Sequence, residues 1–109
     1  MKSEAESILG LIGLSKKAGK IEAGSNPCEL AIKTDKSELV ILAKDASEKT
    51  KEPILKLCGY HDVPVREFAT KEELGRFTGK PIRAALAITD SGLAKRILEL
   101  IDIMENNKK

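Results

Sequence analysis

The stretch LVILAKDAS, residues 39–47, begins with five consecutive apolar residues and turns polar at Lys44. A strand with one wet face alternates apolar and polar residues, whereas a strand covered on both faces shows a continuous apolar run. Residues 39–43 therefore predict a central strand with helices on both sides of it. The run AALAIT, residues 84–89, predicts a second buried strand of the same kind, and shorter strands are predicted at residues 21–23 and 63–68.

Helix-start signals stand before and between these strands. Ser3 with Glu6, and Thr70 with Glu73, have the spacing of capping boxes, in which each side chain satisfies the other residue's free amide. They predict a first helix over about residues 4–17 and a short fourth helix that ends at Gly79. Three further helix starts are predicted: at Asn26, with Pro27 in the first helical position, at Asp45 or Ser47, and at Asp90 or Ser91.

The alternation of helices and strands indicates an α/β fold, with a mainly parallel or mixed sheet between helical layers. The chain has 109 residues, enough for one compact domain, which we assign to residues 1–105. We expect the polar residues 106–109 to form a frayed tail. Hydrophobic residues make up 41% of the chain and charged residues 33%, which argues against disorder and against a membrane-embedded protein.

Charges of the two signs nearly balance, since 19 Lys and Arg face 17 Asp and Glu, giving a formal net charge of +2. No strong overall field would attract nucleic acid, so any anion site must be a local patch. The two cysteines, Cys28 and Cys58, lie 30 residues apart without a CxxC pair, and nothing at the N-terminus reads as a signal peptide. We therefore expect a reduced, cytoplasmic protein.

The residue types that catalysis needs are scarce. His61 is the only histidine and lies in the turn-like segment GYHDVP without a second metal ligand nearby. Cys58 is predicted on the apolar face of a helix, and only Cys28 lies near a helix N-terminus, which can lower a thiol pKa. We expect no enzymatic activity, cofactor, metal or small-molecule substrate.

Two segments, GLSKKAGK (13–20) and GRFTGK (75–80), resemble phosphate-binding loops. Five and three residues separate their glycines, whereas a phosphate-binding loop of this type has four. Each segment also lies at a predicted helix end, where the backbone offers carbonyl groups instead of the amides that hold phosphate. We therefore reject both as nucleotide-binding loops.

One helix start could receive an anion. Gly24 would let a phosphate or a base edge approach the backbone just before the helix predicted at Asn26, whose first amides have no partner. Lys20 precedes this segment and Lys44 ends the central strand, and parallel neighbouring strands could bring these groups to one edge of the sheet. The sequence Gly-Ser-Asn-Pro also suits an ordinary helix start, so on spacing alone both interpretations stay open.

Five segments carry a family resemblance: KKAGKIEAG (16–24), LVILAKDAS (39–47), YHDVPV (60–65), KEELGRFTGK (71–80) and AALAITDSGLAK (84–95). In this order they resemble the ribosomal-protein kink-turn-binding superfamily, which contains archaeal large-subunit protein 7Ae and eukaryotic large-subunit protein 30, and within it the small bacterial YlxQ-like branch. The resemblance spans nearly the whole chain. It implies a three-layer α/β/α sandwich with a mixed four-stranded sheet, no enzymatic activity, and recognition of RNA kink-turns by the start of the second helix and the loop before the last strand.

The resemblance also implies which residues would contact RNA. In such families a Gly-x-Asn-Glu segment reads guanine edges, a lysine three residues past that glutamate contacts phosphate, and an apolar loop packs on a flipped-out nucleotide. The corresponding residues here are Gly24, Ser25 and Asn26 for the first element and Ile82, Arg83 and Ala84 for the loop, with Lys20, Lys44 and Arg83 expected to hold phosphates.

Two residues depart from the pattern of the family. Pro27 stands where the guanine-reading glutamate would be, and Leu30 replaces the phosphate-binding lysine. Loss of a good base contact costs about 1–3 kcal/mol, and loss of a phosphate contact flattens the salt dependence by about one unit. The leading hypothesis is a monomeric, ribosome-associated protein that binds structured RNA, with ribosomal RNA as the expected partner. The alternative is a protein-interaction module of the same fold with a lost or weakened RNA site and Leu30 and Ile82 in an apolar contact patch.

Overall fold

The computed structural model describes residues 3–107. In this part of the chain five helices and four strands alternate. They are α1 (Glu4–Lys17), β1 (Ile21–Ala23), α2 (Ser25–Lys33), β2 (Leu39–Leu42), α3 (Glu48–His61), β3 (Val65–Glu67), α4 (Lys71–Thr78), β4 (Ala85–Ile88) and α5 (Ser91–Asn107). The order of elements is the one that the sequence predicts.

The four strands form one mixed sheet in the order β1-β4-β2-β3. β4 lies antiparallel to both β1 and β2, whereas β3 is parallel to β2. Ala23 pairs with Leu86, and Leu42 pairs with Ala85. The start of β4 therefore lies beside the ends of both β1 and β2, at one edge of the sheet.

Helices cover the sheet on both sides and form two separate apolar clusters. One side, which we call the broad face, is covered by α1, α4 and α5; the central strands direct Leu39, Ile41, Leu86 and Ile88 into it. The other side, the narrow face, is covered by α2 and α3 and receives Val40, Leu42, Ala85 and Ala87. The predicted three-layer α/β/α sandwich with a mixed four-stranded sheet is confirmed.

The helix starts follow the local signals closely. Both predicted capping boxes are present, at Ser3 and at Thr70. Ser47 caps α3 through a hydrogen bond from the Thr50 amide, and the Asp90 carboxylate accepts a hydrogen bond of 2.9 Å from an amide in the first turn of α5. These contacts decide between the alternatives left open by the sequence.

The C-terminal helix reaches further than the predicted domain. α5 includes residues 106 and 107, and the side-chain amide of Asn107 donates to the Glu4 carboxylate at 3.1 Å. The first half of the expected frayed tail thus lies in the last helical turn, and residues 108–109 lie outside the described residues.

Candidate functional site

Helix α2 begins two residues earlier than predicted. Its N-cap is Gly24, with φ 107° and ψ 161°, and Ser25 is the first helical residue, so the prediction of Asn26 as N-cap is wrong. The Gly24 amide donates to the Ala85 carbonyl at 2.9 Å, which continues the pairing of β1 with β4 into the turn. This pairing fixes a backbone conformation that favours glycine, and the tertiary contact overrides the local capping signal of Asn26.

The first turn of α2 keeps free hydrogen-bond donors. No side chain caps the helix, and the first intrahelical bond runs from the Cys28 amide to the Gly24 carbonyl at 3.0 Å. The amides of Ser25 and Asn26 therefore have no intrahelical acceptor. Pro27 is the third helical residue; it has no amide hydrogen, and at this position an amide would also have found no acceptor within the helix. These donors lie at the positive end of the helix dipole.

The loop before β4, residues 79–84, lies against this helix start. A Cβ atom added to Gly24 would lie 3.2 Å from Nη1 of Arg83 and 3.9 Å from its Cζ, so the guanidinium group covers the glycine. The Nε atom of Arg83 is buried without a hydrogen-bond partner, and within residues 3–107 the side chain forms no ion pair. A cation thus sits unpaired beside the positive end of α2.

Helix α4 holds this loop in place through Gly75. A Cβ atom at Gly75 would lie 2.5 Å from the Lys80 carbonyl oxygen and 2.8 Å from the Ile82 nitrogen, so only glycine lets the loop pack directly on the helix. The Lys80 amide donates to the Gly75 carbonyl and the Arg83 amide donates to the Lys71 carbonyl, each at 2.9 Å. Sequence reasoning missed this role of Gly75, whose only signal was a glycine inside a helical pattern.

The fold brings together six of the residues predicted for the site. Those at the start of α2 are Gly24, Ser25 and Asn26, and those in the adjacent loop are Ile82, Arg83 and Ala84. Asn26 is exposed, and 59% of the surface of Ile82 is exposed. An exposed polar side chain and an exposed apolar one therefore lie on the two segments that meet at Gly24 and Arg83.

The two predicted lysines lie elsewhere. Lys44 follows β2 at the same edge of the sheet, since the neighbouring Ala43 amide donates to the Ala84 carbonyl at 2.9 Å. Its side chain lines a cavity on the broad face with Leu9, Phe68 and Met104, on the other side of the sheet from α2. Lys20 is not brought to this edge.

Lys20 lies at the end of β1 opposite to Gly24. Lys20 comes before this strand and Gly24 after it, and the Lys20 carbonyl accepts a hydrogen bond from the Thr89 amide at the far end of β4. The expectation that Lys20 would reach the edge of Gly24 is corrected, because the two residues lie at opposite ends of β1. Of the two lysines, only Lys44, which follows β2, comes to that edge, since β1 and β2 run in the same direction.

An open groove of about 490 Å³ runs along the outer side of α2. Pro27, Leu30 and Ala31 form the apolar part of its lining, and its polar members are Glu22, Asn26, Thr34 and Lys36. Leu30 is 62% exposed, although leucine is a residue type that burial favours. The two positions that depart from the family pattern, 27 and 30, thus line one surface next to the helix start.

The cysteines are not activated. Burial raises the pKa of the Cys28 thiol to about 12, with further contributions from Cys58 and Glu29, and burial raises the pKa of Cys58 to about 11. Both thiols therefore stay protonated at neutral pH, so the helix start does not create a reactive thiolate.

The described residues contain neither a cluster of metal ligands nor a membrane-spanning helix. Within residues 3–107, no group of three or more His, Cys, Asp or Glu side chains could hold a metal ion. In the same part of the chain, no helix is long and apolar enough to cross a membrane.

The family of this chain is decided by a family model that matches residues 6–98, nearly the whole domain. The chain belongs to the ribosomal protein L7Ae/L30e/S12e/Gadd45 family. Two curated relatives, both named RNA-binding protein YlxQ, identify the branch within it. The protein of Bacillus subtilis is 34% identical over 92 residues, which cover 84% of this chain and 92% of the relative, and that of Enterococcus faecium is 37% identical over 94 residues, covering 86% and 90%.

Solved structures of similar proteins agree with this assignment. A protein of unknown function from Bacillus halodurans has a TM-score of 0.84 at 33% sequence identity, covering 87% of this chain and 96% of that protein. A 15.5kD RNA-binding protein of Giardia lamblia has a TM-score of 0.73 at 23% identity, covering 97% and 92%, and therefore shares the fold. The predicted membership in the YlxQ-like branch of the family is confirmed.

Proposed function

We propose that this protein binds structured RNA, and that it recognises a kink-turn or a similarly bent RNA through the start of α2 and the loop of residues 79–84. The names of the two YlxQ relatives support RNA as the ligand, since each covers most of this chain at more than 30% identity. The preference for a bent RNA is supported by the shape of the site, which joins a helix start and a loop at one edge of the sheet.

One observation carries the proposal: the unpaired guanidinium of Arg83 lies over Gly24, beside the uncapped start of α2. Two positive groups close together repel each other when no anion lies between them. A phosphate would relieve this repulsion and accept hydrogen bonds from the guanidinium and from the amides of Ser25 and Asn26. The missing side chain of Gly24 makes room for the Arg83 guanidinium, since a Cβ atom there would lie 3.2 Å from Nη1.

Further contacts follow from the surrounding side chains. The exposed amide of Asn26 can donate to and accept from a base edge, as the reading of a base requires. Ile82 offers an apolar surface to an unstacked base. Lys44 follows β2 at the same edge but on the broad face, so it would hold a phosphate only of RNA that extends past that edge. We leave Lys20 outside the interface because it lies at the far end of β1.

A gel-shift titration at physiological salt tests the proposal, with a kink-turn RNA and a straight duplex of equal length. We expect the parent protein to prefer the kink-turn, and Asn26→Ala to weaken that binding about tenfold or more because a base contact is lost. Asn106→Ala on α5 is the matched control and should bind like the parent. Equal binding of the parent to both RNAs would contradict the preference for bent RNA.

Arg83→Gln tests the phosphate contact. We expect weaker binding and a salt dependence that is flatter by about one unit, because one phosphate partner is removed. Arg96→Gln on α5 has the same change of charge and should leave the salt dependence unchanged. If both variants lower affinity equally, the general charge of the protein rather than the Arg83 site is responsible.

We further propose that the RNA partner is ribosomal and that the protein works in the cytoplasm as a ribosome-associated factor. The family to which the chain belongs includes ribosomal proteins, and both cysteines are free, as is usual in a reducing compartment. Sedimentation of the protein with ribosomal subunits in a sucrose gradient would test this point. If the Asn26→Ala variant stays at the top of the gradient while the Asn106→Ala variant sediments with the subunits, then binding to the subunits depends on the proposed site.

A protein-interaction module is a second candidate function, and the exposed Leu30 favours it. This leucine lines the groove beside α2 together with Pro27, where a polar contact to RNA would otherwise be expected. Leu30→Lys separates the two functions. A gain in RNA affinity supports an RNA site that has lost one phosphate contact, whereas loss of self-association in light scattering supports the interaction module.

A further inference from the structure

A second groove, of about 550 Å³, lies between α1 and α4 on the broad face of the protein. Lys16, Lys17 and Arg76 are its charged lining residues, and Gly13, Leu14 and Phe77 are among the others. We call this surface the basic groove. The fold thereby joins the two glycine- and lysine-rich segments, residues 13–20 and 75–80, which lie far apart in the sequence.

The positive charge of the basic groove is mostly uncompensated. None of the described residues that line it is acidic, and within residues 3–107 neither Lys16 nor Lys17 forms an ion pair. Arg76 lies 3.6 Å from Glu72 in an exposed pair along α4, which water screens strongly. Three cations therefore meet at one surface of a protein whose overall charge is nearly balanced.

The lysines are not needed to satisfy the end of α1. The carbonyls of Leu14, Ser15 and Lys16 already accept hydrogen bonds of 2.9–3.0 Å from the amides of Ala18, Lys20 and Gly19. Lysine side chains at the end of a helix commonly serve this purpose. Here their amino groups remain available for a partner.

Two glycines inside α1 are also unexplained by packing. A Cβ atom at Gly10 would meet no atom within 4 Å, and one at Gly13 would make ordinary contacts of 3.6 and 3.7 Å with Phe77. Glycine inside a helix is less stable than alanine, so the fold alone would favour alanine at both positions. Without side chains at these positions, the groove stays open and part of Phe77 stays accessible.

The basic groove is continuous with the proposed RNA site. The loop of residues 79–84 leaves the groove at Gly79 and returns along α4, where the Arg83 amide contacts the Lys71 carbonyl. Arg76 of the groove follows Gly75 in α4, and a Cβ atom at Gly75 would lie 2.8 Å from the Ile82 nitrogen, so the groove adjoins the loop that carries Arg83. An RNA strand bound at the start of α2 would therefore need to extend only a short distance to reach the groove.

We propose that the basic groove is a second RNA contact, which holds the phosphate backbone of the helix that flanks the bend. This inference rests on the proposed function and extends it from one edge of the sheet to the α1–α4 surface. Lys16, Lys17 and Arg76 neutralise phosphates, and the absence of side chains at Gly10 and Gly13 lets the backbone come close to α1.

Two kink-turn RNAs with the same bent core, one with short stems and one with long stems, test this inference. We expect Lys16→Gln/Lys17→Gln to bind the long-stemmed RNA about tenfold more weakly and to flatten its salt dependence by about one to two units. Binding of the short-stemmed RNA should stay within about twofold of the parent. Lys33→Gln/Lys95→Gln, which removes the same charge from α2 and α5, should leave both affinities unchanged.

A second variant separates binding from folding. Gly10→Ala/Gly13→Ala should raise the melting temperature by about 4–9 °C, because alanine favours the helix, and should weaken binding of the long-stemmed RNA alone. An equal loss for both RNAs, or an equal loss in the Lys33→Gln/Lys95→Gln control, would overturn the groove contact.

Failure of the proposed function would have a different result. In that case the parent protein would not prefer the short-stemmed kink-turn to a straight duplex, and Asn26→Ala would have no effect. That result would also remove the path from α2 to the groove. Failure of the groove alone leaves the kink-turn preference intact and the Lys16→Gln/Lys17→Gln variant equal to the parent with both RNAs.

Discussion

The two faces of the sheet are built from side chains of different size. On the broad face β4 directs Leu86 and Ile88 against three helices, whereas on the narrow face it directs Ala85 and Ala87 toward α2 and α3. The large side chains bury more apolar surface and contribute more to stability. The alanines allow α2 to lie close to β4, so that its first turn meets the loop of residues 79–84.

The comparison shows how one strand serves two purposes. Residues of β4 alternate between the faces, so stability and the position of the site depend on neighbouring residues of one strand. A change on the broad face should affect mainly folding. A change on the narrow face should affect folding and RNA binding together, because α2 carries the site.

Leu86→Ala should have the largest effect on stability. Leu86 is completely buried on the broad face, and removal of a buried leucine side chain costs about 2–5 kcal/mol, including the cavity that remains. Urea unfolding measures this loss. The variant that remains folded should bind the kink-turn RNA like the parent, and a change in its affinity would show that the two faces are not independent.

Ala87→Leu changes the next residue on the opposite face. Ala87 is completely buried in the cluster that contains Cys28, Ile32 and Val40, so we expect the larger side chain to lower the free energy of unfolding by about 1–3 kcal/mol. Because the displaced element is α2, RNA affinity should also fall, which a gel shift measures. An overpacked variant with unchanged affinity would contradict the role of the narrow face in placing the site.

Alkaline pH should weaken the narrow face through its buried thiols. The folded pKa values of Cys28 and Cys58, about 12 and about 11, lie above the ordinary value of 9.0. Below pH 9 both thiols are protonated in the folded and in the unfolded protein, and their contribution to stability is fully present. Above pH 9 the thiols of the unfolded protein lose their protons first, which lowers the free energy of unfolding. We expect a loss of about 1 kcal/mol per thiol for each pH unit above 9.

The alkaline effect is measured by urea unfolding at about pH 8 and about pH 10. Cys28→Ala/Cys58→Ala is the control, because it differs from the parent only at the two thiols. The parent should lose more stability than this variant over the interval. Parallel losses would show that the thiols do not contribute.

The smallest effect should come from Asp102→Asn on the broad face. Arg66 Nε and Nη2 donate to the Asp102 carboxylate at 2.8 and 3.2 Å, joining β3 to α5, and this bonding lowers the pKa of Asp102. Both side chains are substantially exposed, so the pair contributes about 0.5 kcal/mol. The contribution is present above the ordinary pKa of 3.8 and is lost as the pH falls through the lowered value.

Acid titration of the unfolding free energy checks this pair. The parent and Asp102→Asn should differ near neutral pH and converge in strong acid, where the carboxylate of the parent is protonated. A constant difference at all pH values would assign the effect to packing instead of charge.

Local signals in the sequence were sufficient for most of the fold. The capping boxes at Ser3 and Thr70 and the apolar runs of β2 and β4 act over a few residues, so their meaning does not depend on the rest of the chain. The alternation of elements indicated a parallel or mixed sheet between helical layers, and the family resemblance implied a mixed sheet of four strands. Strand order and direction are set by contacts between distant residues, which periodicity cannot provide.

For the site, the sequence predicted individual residues but not the long-range contacts between them. Gly24 and Arg83 were both identified, but their contact depends on the pairing of β1 with β4. Lys20 was misplaced because it precedes β1 whereas Gly24 follows it, so the strand separates the two residues. Asn26 was taken as the cap because its own chemistry favours that position. Gly75 was missed because its role exists only in the folded loop.

The outer strands of the sheet have a consequence for the behaviour of the protein in concentrated solution. β1 and β3, at the two edges, have three residues each, while the longer apolar segments LVIL and ALAI lie between them. An edge this short offers few main-chain groups to which a second molecule could add a strand. The apolar strands β2 and β4, which are the segments most prone to aggregate, are thus flanked by two short edge strands that offer few hydrogen-bonding groups to another molecule.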